Sequence, residues 1–131
     1  MKKEDIKILV VDDEEIMRAL FTDILTDQGY HVTTVCNGKE AEELVKNASF
    51  DIAFVDVHMP VMDGFSTLRM LMKKCPKTYI VMADSMPTYL VEELKKEGAV
   101  TCIHKPFHIQ EVKSIVSQIL EKKLKEENGA K

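Results

Sequence analysis

Short apolar runs alternate five times with longer segments of helical periodicity, and this repetition constrains the fold more than any other feature of the sequence. The apolar runs cover residues 6–11, 31–35, 52–55, 79–83 and 100–103. Strands that are joined through helices pair in parallel, and right-handed crossovers place the helices on both faces of the sheet. The central runs are apolar throughout, as expected of strands that are covered on both faces. The sequence therefore predicts an α/β domain with a single doubly wound sheet of five parallel strands and five helices.

The helical segments predict which side chains face the sheet and where the domain ends. In the first helix, Ile16, Leu20 and Ile24 recur at helical spacing and are predicted to form its buried stripe. The second apolar run contains polar residues, which indicates a strand at the edge of the sheet. We predict one domain over residues 1–122, followed by a charged and fraying C-terminal tail over residues 123–131.

Composition excludes several classes of function. The 131 residues carry a net charge of −4, which gives the chain no electrostatic attraction for the phosphate backbone of DNA or RNA. No apolar run approaches the roughly 20 residues of a membrane helix, and no signal peptide is visible. Three cysteines without a CxxC spacing indicate reduced core thiols. We therefore expect a cytoplasmic protein that binds neither nucleic acid nor membrane.

Charged residues follow three of the predicted strands, at the positions where each strand ends. Asp12 and Asp13 follow the first strand, Asp56 ends the third, and Lys105 follows the fifth. Ligands of such sheets bind outside the carboxyl ends of the strands, so these side chains are expected to converge if the first and third strands are neighbours. Crowded carboxylates need a counter-charge, and Mg²⁺ is the divalent ion that best suits oxygen ligands here. With the lysine opposite, the group forms a clamp for a phosphoryl group.

These residues resemble the response-regulator receiver family of two-component signalling, and the resemblance covers about residues 6–120. The matching pieces stand in the family's order and spacing: Val10-Val11-Asp12-Asp13-Glu14, Val55-Asp56-Val57-His58-Met59-Pro60, Met62-Asp63-Gly64 and Lys105-Pro106-Phe107. The resemblance implies a flavodoxin-like sheet with the strand order 2-1-3-4-5. It also implies a signalling module whose chemistry takes place only on itself, not an enzyme.

The resemblance assigns a role to each residue of the predicted site. Asp56 is the expected phospho-acceptor, with a histidine kinase or phosphotransfer protein as donor. Asp13 is an expected direct ligand of Mg²⁺, Asp12 a ligand through water, and the backbone carbonyl of His58 a further ligand. Lys105 is expected to bind the phosphoryl oxygens, and its bond to the following proline is expected to be cis. The signal would pass to an unidentified downstream protein, and a homodimer through the last two helices is possible.

Two positions depart from the family's pattern and put its usual conformational switch in doubt. A hydroxyl residue is usual at the end of the fourth strand, where this sequence has Ala83 or, in an alignment shifted by one residue, Asp84. Ser85 could replace the hydroxyl only if its loop bends inward. The second switch position, usually aromatic, is Cys102. We expect phosphorylation to be retained and its readout to be altered or weakened.

Three alternatives compete with a phosphorylated switch. Asp12 and Asp13 could simply cap the first helix, because acids favour helix N-termini. A degenerate receiver could act as a constitutive binding module, since both switch positions are altered. A Mg²⁺-dependent phosphatase with an aspartyl nucleophile is less well supported, because that class generally has a second acid at the position of His58.

Overall fold

A computed structural model describes residues 2–84 and 88–129, and within them it contains the five strands and five helices expected from the sequence. A single 3₁₀ turn precedes the first strand. The strands are β1 (Lys7–Val11), β2 (His31–Val35), β3 (Ile52–Asp56), β4 (Tyr79–Ala83) and β5 (Thr101–Ile103). The helices are α1 (Glu15–Asp27), α2 (Gly38–Leu44), α3 (Gly64–Lys74), α4 (Thr88–Lys96) and α5 (Ile109–Gly129).

All strands pair in parallel in the order β2-β1-β3-β4-β5, which confirms the predicted fold class and strand order. β3 is buried along its whole length, as a central strand must be, whereas β2 lies at an edge and has two exposed threonines, Thr33 and Thr34. The order reverses between β1 and β3, so the carboxyl ends of these two neighbours form the crevice in which such sheets bind ligands.

Alternate residues of each central strand enter two separate hydrophobic cores. In β3, Ile52 and Phe54 face the core that α1 and α5 cover, whereas Ala53 and Val55 face the core beneath α2, α3 and α4. This alternation follows from the two-residue period of a strand, and it explains why strands covered on both faces are apolar throughout. Both faces of the sheet are therefore closed, and side-chain chemistry is confined to its two ends.

The predicted buried stripe of α1 is wrong in part. Ile24 is buried, but Ile16 is 81% exposed and Leu20 is 36% exposed. The helix instead buries Phe21, whose ring packs 4.9 Å from that of Phe54. The apolar arc of α1 is wider than the strip that the sheet can cover, and helical spacing alone did not decide which part of the arc faces inward. An apolar flank of α1 consequently faces solvent.

The final helix continues past the predicted domain end at residue 122. α5 ends at Gly129, and the Lys123 ammonium lies 3.3 Å from the Asp51 carboxylate at the start of β3. The hydroxyl of Tyr79 also contacts Glu126. Residues 123–129 are thus helical, and two of them, Lys123 and Glu126, contact residues of the domain. The division between a domain over 1–122 and a tail over 123–131 remains a prediction.

The cysteines are less uniformly buried than predicted. Cys75 and Cys102 are half-buried, but Cys36 is exposed, so it is not a core thiol. Across the residues described, no helix has both the length and the apolar composition that crossing a membrane requires.

Candidate functional site

The predicted site residues meet at the carboxyl ends of β1, β3 and β5, an edge of the sheet that we call the rim. Asp12 directly follows β1, and Asp56 is the last residue of β3. Because Val11 pairs with Val55 in register, the residues that follow them also lie side by side. Lys105 reaches the same place from the segment after β5. The geometric part of the sequence prediction, convergence at one rim, therefore holds.

Four side chains form a compact carboxylate cluster at the rim: Asp12, Asp13, Glu14 and Asp56. Each residue contributes one carboxylate oxygen to a group of four that all lie within 4.8 Å of one another. Asp12 and Asp56 are nearly inaccessible, at 1% and 4% exposure, whereas Asp13 and Glu14 are exposed. The cluster thus has two members in the floor of the crevice and two at its mouth.

The Lys105 ammonium lies among these carboxylates. Its Nζ atom is 2.9 Å from Asp12, 3.5 Å from Glu14 and 3.6 Å from Asp56. The following peptide bond, to Pro106, is cis as predicted. A single ammonium cannot balance four carboxylates, so the rim retains an excess of negative charge.

Burial beside like charges shifts the pKa of the central carboxylate. The pKa of Asp56 is raised from 3.8 to about 7, chiefly by burial and also by Asp12 and Asp13, against the opposing effect of Lys105. Burial is the largest single effect on Lys105 and lowers its pKa, but Asp12, Asp56 and Glu14 together outweigh burial and raise it. Asp56 therefore binds a proton far more readily than an ordinary aspartate unless another cation joins the site.

The cluster has the chemistry of a Mg²⁺ site. Its donors are all carboxylate oxygens, which hard cations prefer, and two of them are exposed at the mouth, where a hydrated ion can enter. A divalent cation would add counter-charge and so oppose the rise in the pKa of Asp56 that burial causes. The residues present therefore fit Mg²⁺.

The loop between β3 and α3 carries the remaining predicted ligand and is held by a close backbone approach. Gly64 donates from its backbone N–H to the carbonyl of Val57 at 2.8 Å, and a Cβ atom at Gly64 would lie 2.5 Å from that residue. Glycine is therefore required there. His58 directly follows Val57, so its backbone position is fixed beside Asp56. The His58 side chain is exposed, and its Nδ1 atom contacts the carboxylate of Asp84.

Comparison with known proteins identifies the family. The family model for the response regulator receiver domain matches residues 8–117. The chain belongs to the receiver-domain family. It is 35% identical to the chemotaxis protein CheY of Thermotoga maritima over 86% of this chain and 96% of that protein. It is 32% identical to sporulation initiation phosphotransferase F of Bacillus subtilis over 87% of this chain and 93% of that protein.

A solved structure agrees with this assignment. Chemotaxis protein CheY4 of Vibrio cholerae superposes with a TM-score of 0.81 at 31% identity, covering 87% of this chain and 98% of that one. The recognition of a two-component receiver module from its four motifs is thus confirmed, together with its flavodoxin-like fold. The roles of single residues in this receiver remain predictions, since the comparisons concern the family as a whole.

The two altered switch positions of this receiver lie where the strand register places them. Ala83 is the last residue of β4 and pairs directly with Asp56, so the alignment with Ala83 beside the acceptor agrees with the register. Asp84 follows it and contacts His58. Cys102, in β5, is half-buried and pairs with Met82. Ser85 lies outside the described residues.

One member of the receiver's carboxylate cluster was missed by sequence reasoning. Glu14 was quoted only as the last residue of the first motif and was given no role, yet its carboxylate belongs to the cluster and approaches Lys105. The available signal was its place directly after Asp13, where a short turn separates β1 from α1. Its long side chain could have been predicted to reach back over the rim.

Proposed function

We propose that this receiver accepts a phosphoryl group on Asp56 from a histidine kinase or a phosphotransfer protein, in a reaction that requires Mg²⁺. The observation that carries the proposal is the position of Asp56, buried within 4.8 Å of three other carboxylates and 3.6 Å from the Lys105 ammonium. A carboxylate so placed is a nucleophile with its electrostatic partners already in position.

Each residue has a defined task in the proposed reaction. A carboxylate oxygen of Asp56 attacks phosphorus, forming an O–P bond while the N–P bond to the donor imidazole breaks and leaves its electron pair on nitrogen. Lys105 then binds the phosphoryl oxygens. Asp12 and Asp13, with the backbone carbonyl of His58, would hold Mg²⁺. Bound there, Mg²⁺ would neutralise charge on the phosphoryl oxygens.

The charge balance explains why the cation is needed for the reaction. The attacking form of Asp56 is the ionised carboxylate, and burial, together with the neighbouring carboxylates, raises its pKa to about 7. Counter-charge beside Asp13 would lower that pKa and keep the nucleophile ionised. Lys105 alone is insufficient, because it is held most closely by Asp12 at 2.9 Å.

Intact-mass analysis after incubation with acetyl phosphate tests the proposal. We expect the mass increase of one phosphoryl group with Mg²⁺ and none with EDTA. Asp56→Asn should abolish the increase. Asp51→Asn is the matched control, because Asp51 precedes the opposite end of the same strand and should leave labelling intact. Labelling of the Asp56→Asn variant, or none in the wild-type protein, would contradict the proposal.

The readout of phosphorylation is proposed to be weak. Ala83, directly opposite Asp56, has no hydroxyl to bind a phosphoryl oxygen, and such a bond to a charged group is worth roughly 1.5–3 kcal/mol. The same observation favours a second candidate, a receiver that binds its downstream protein constitutively. Equal affinity for that protein before and after phosphorylation would support the second candidate, and a tenfold difference would support a switch.

The remaining proposals concern the cellular location, the partners and the oligomeric state of the receiver. We propose that the receiver works in the cytoplasm, acts only on itself, contacts a downstream protein rather than nucleic acid or membrane, and can form a homodimer. The net charge of −4 supports the exclusion of nucleic acid. Turnover of free phosphate esters by the purified protein would instead indicate a phosphatase.

A further inference from the structure

Glu14 occupies the N-cap position of α1 but does not cap the helix with its side chain. Its backbone N–H donates to a carboxylate oxygen of Asp12 at 2.9 Å, which ties the turn after β1 to the floor of the rim. Its side chain is 62% exposed, and its carboxylate turns toward Lys105, with 3.5 Å between Oε1 and Nζ. The Glu14 side chain is thus accessible to water and at the same time contacts Lys105 at the rim.

The position of Lys105 places Glu14 in competition with the acceptor. Nζ lies 3.5 Å from Glu14 and 3.6 Å from Asp56, so one ammonium is within reach of both carboxylates. A phosphoryl group on Asp56 would need that ammonium for its own oxygens. The attraction between the Glu14 carboxylate and the Lys105 ammonium therefore opposes transfer of a phosphoryl group to Asp56.

We propose that Glu14 is a positioning residue of this site with two opposed effects. It strengthens cation binding by adding a fourth carboxylate, and it slows phosphorylation by competing with Asp56 for the Lys105 ammonium. The inference rests on the proposed function, because it assumes that Asp56 accepts a phosphoryl group beside a bound divalent ion. It assigns Glu14 no direct part in the chemistry.

The opposed effects give the substitution Glu14→Gln a signature that a purely structural role would not produce. A unit charge about 5 Å from a solvated divalent ion changes its affinity on the order of three- to tenfold. We expect calorimetric titration of the unphosphorylated protein with Mg²⁺ to show a three- to tenfold weaker affinity. At saturating Mg²⁺, we expect the initial rate of phosphorylation by acetyl phosphate to rise by about the same factor.

Two further variants separate local contact from general charge. Glu15→Gln is the matched control: Glu15 is the next residue, carries the same charge and is exposed, but it is not a member of the carboxylate cluster. It should leave both quantities within twofold of wild type. Glu14→Asp keeps the charge but shortens the reach toward Lys105, so it should raise the rate while retaining most of the Mg²⁺ affinity.

The outcomes distinguish this inference from the proposed function. If the wild-type protein binds no Mg²⁺ or is not labelled on Asp56, the proposed function fails. In a second outcome, the wild-type protein binds Mg²⁺ and is labelled on Asp56, while Glu14→Gln has the same Mg²⁺ affinity and phosphorylation rate as Glu15→Gln. That result would overturn only the role of Glu14. A Glu14→Gln variant whose Mg²⁺ affinity and phosphorylation rate both fall would also overturn it, because that result indicates local disruption.

Discussion

The two ends of the β3 segment each carry an aspartate, and the two side chains stand in opposite electrostatic situations. Asp51, just before the strand, accepts a hydrogen bond from the backbone N–H of Lys7 at 2.9 Å and lies 3.3 Å from the Lys123 ammonium. Asp56, at the other end, shares one ammonium with Asp12 and Glu14. We call the end at Asp51 the base of the sheet, in contrast to the rim.

The comparison shows where this receiver gives up stability for chemistry. At the base, the Asp51 carboxylate has both a cation and a backbone donor, so its charge lowers the stability of the folded protein very little. At the rim, burial and neighbouring carboxylates raise the pKa of Asp56 to about 7, which means that its ionised form is disfavoured in the folded protein. Unbalanced charge of this kind is typical of functional sites, whereas balanced pairs are typical of structural ones.

Removing the lysine should have the largest effect on stability. Lys105→Met leaves Asp12, which is 1% exposed, without its ammonium at 2.9 Å. Breaking a buried pair on one side is strongly destabilising, and the partial exposure of Lys105 reduces the effect to about 2–4 kcal/mol. Urea denaturation at pH 8 in EDTA measures it. An unchanged free energy of unfolding would show that solvent already screens the rim.

Neutralising the acceptor should have the opposite sign. Asp56→Asn removes one carboxylate from the crowded rim, and we expect the free energy of unfolding at pH 8 in EDTA to rise by about 1–3 kcal/mol. Asp51→Asn should lower it under the same conditions, because it removes a carboxylate that has partners. If the two substitutions shifted stability in the same direction, the contrast between rim and base would be refuted.

The rim should also make stability depend on pH. Because the folded pKa of Asp56 is about 7 and its ordinary value is 3.8, the folded protein binds more protons than the unfolded chain between these limits. Its contribution to stability is therefore full below about pH 4 and is lost as the pH rises through 7. In EDTA, we expect wild type to lose about 2–3 kcal/mol relative to Asp56→Asn between pH 5 and pH 8. Parallel pH profiles for the two proteins would contradict this.

Sequence reasoning succeeded where chain topology decides the outcome. The strand order and the convergence of Asp12, Asp56 and Lys105 follow from parallel pairing, because the ends of parallel strands meet at one edge. It failed where the outcome depends on which of two similar faces packs better. Ile16 has the same helical spacing as a core residue, yet it is 81% exposed, whereas Phe21 is 1% exposed.

The position of Glu14 depends on a local detail that composition does not contain. Its carboxylate reaches Lys105 only because the turn after β1 directs the side chain back over the rim rather than along α1. The partners of Lys123 and Glu126, Asp51 and Tyr79, likewise lie far away from them in the sequence. Long-range pairing of charges is not visible in a local pattern.

The base provides the smallest expected effect and the most direct test of the contrast. Lys123→Met removes an ammonium that is partly exposed, and the Asp51 carboxylate keeps its hydrogen bond from Lys7. With 17% and 20% of the two side chains exposed, this pair is more accessible than that of Lys105 and Asp12 but is not fully solvated, so we expect a loss of about 1 kcal/mol by urea denaturation. A double-mutant cycle with Asp51→Asn should give a coupling energy below about 1 kcal/mol. The coupling energy between Lys123 and Asp51 could instead equal the free energy of unfolding that Lys105→Met loses. The ion pair at the base would then be as strong as the one at the rim. In that case the contrast between a structural and a functional charge in this receiver would have no energetic basis.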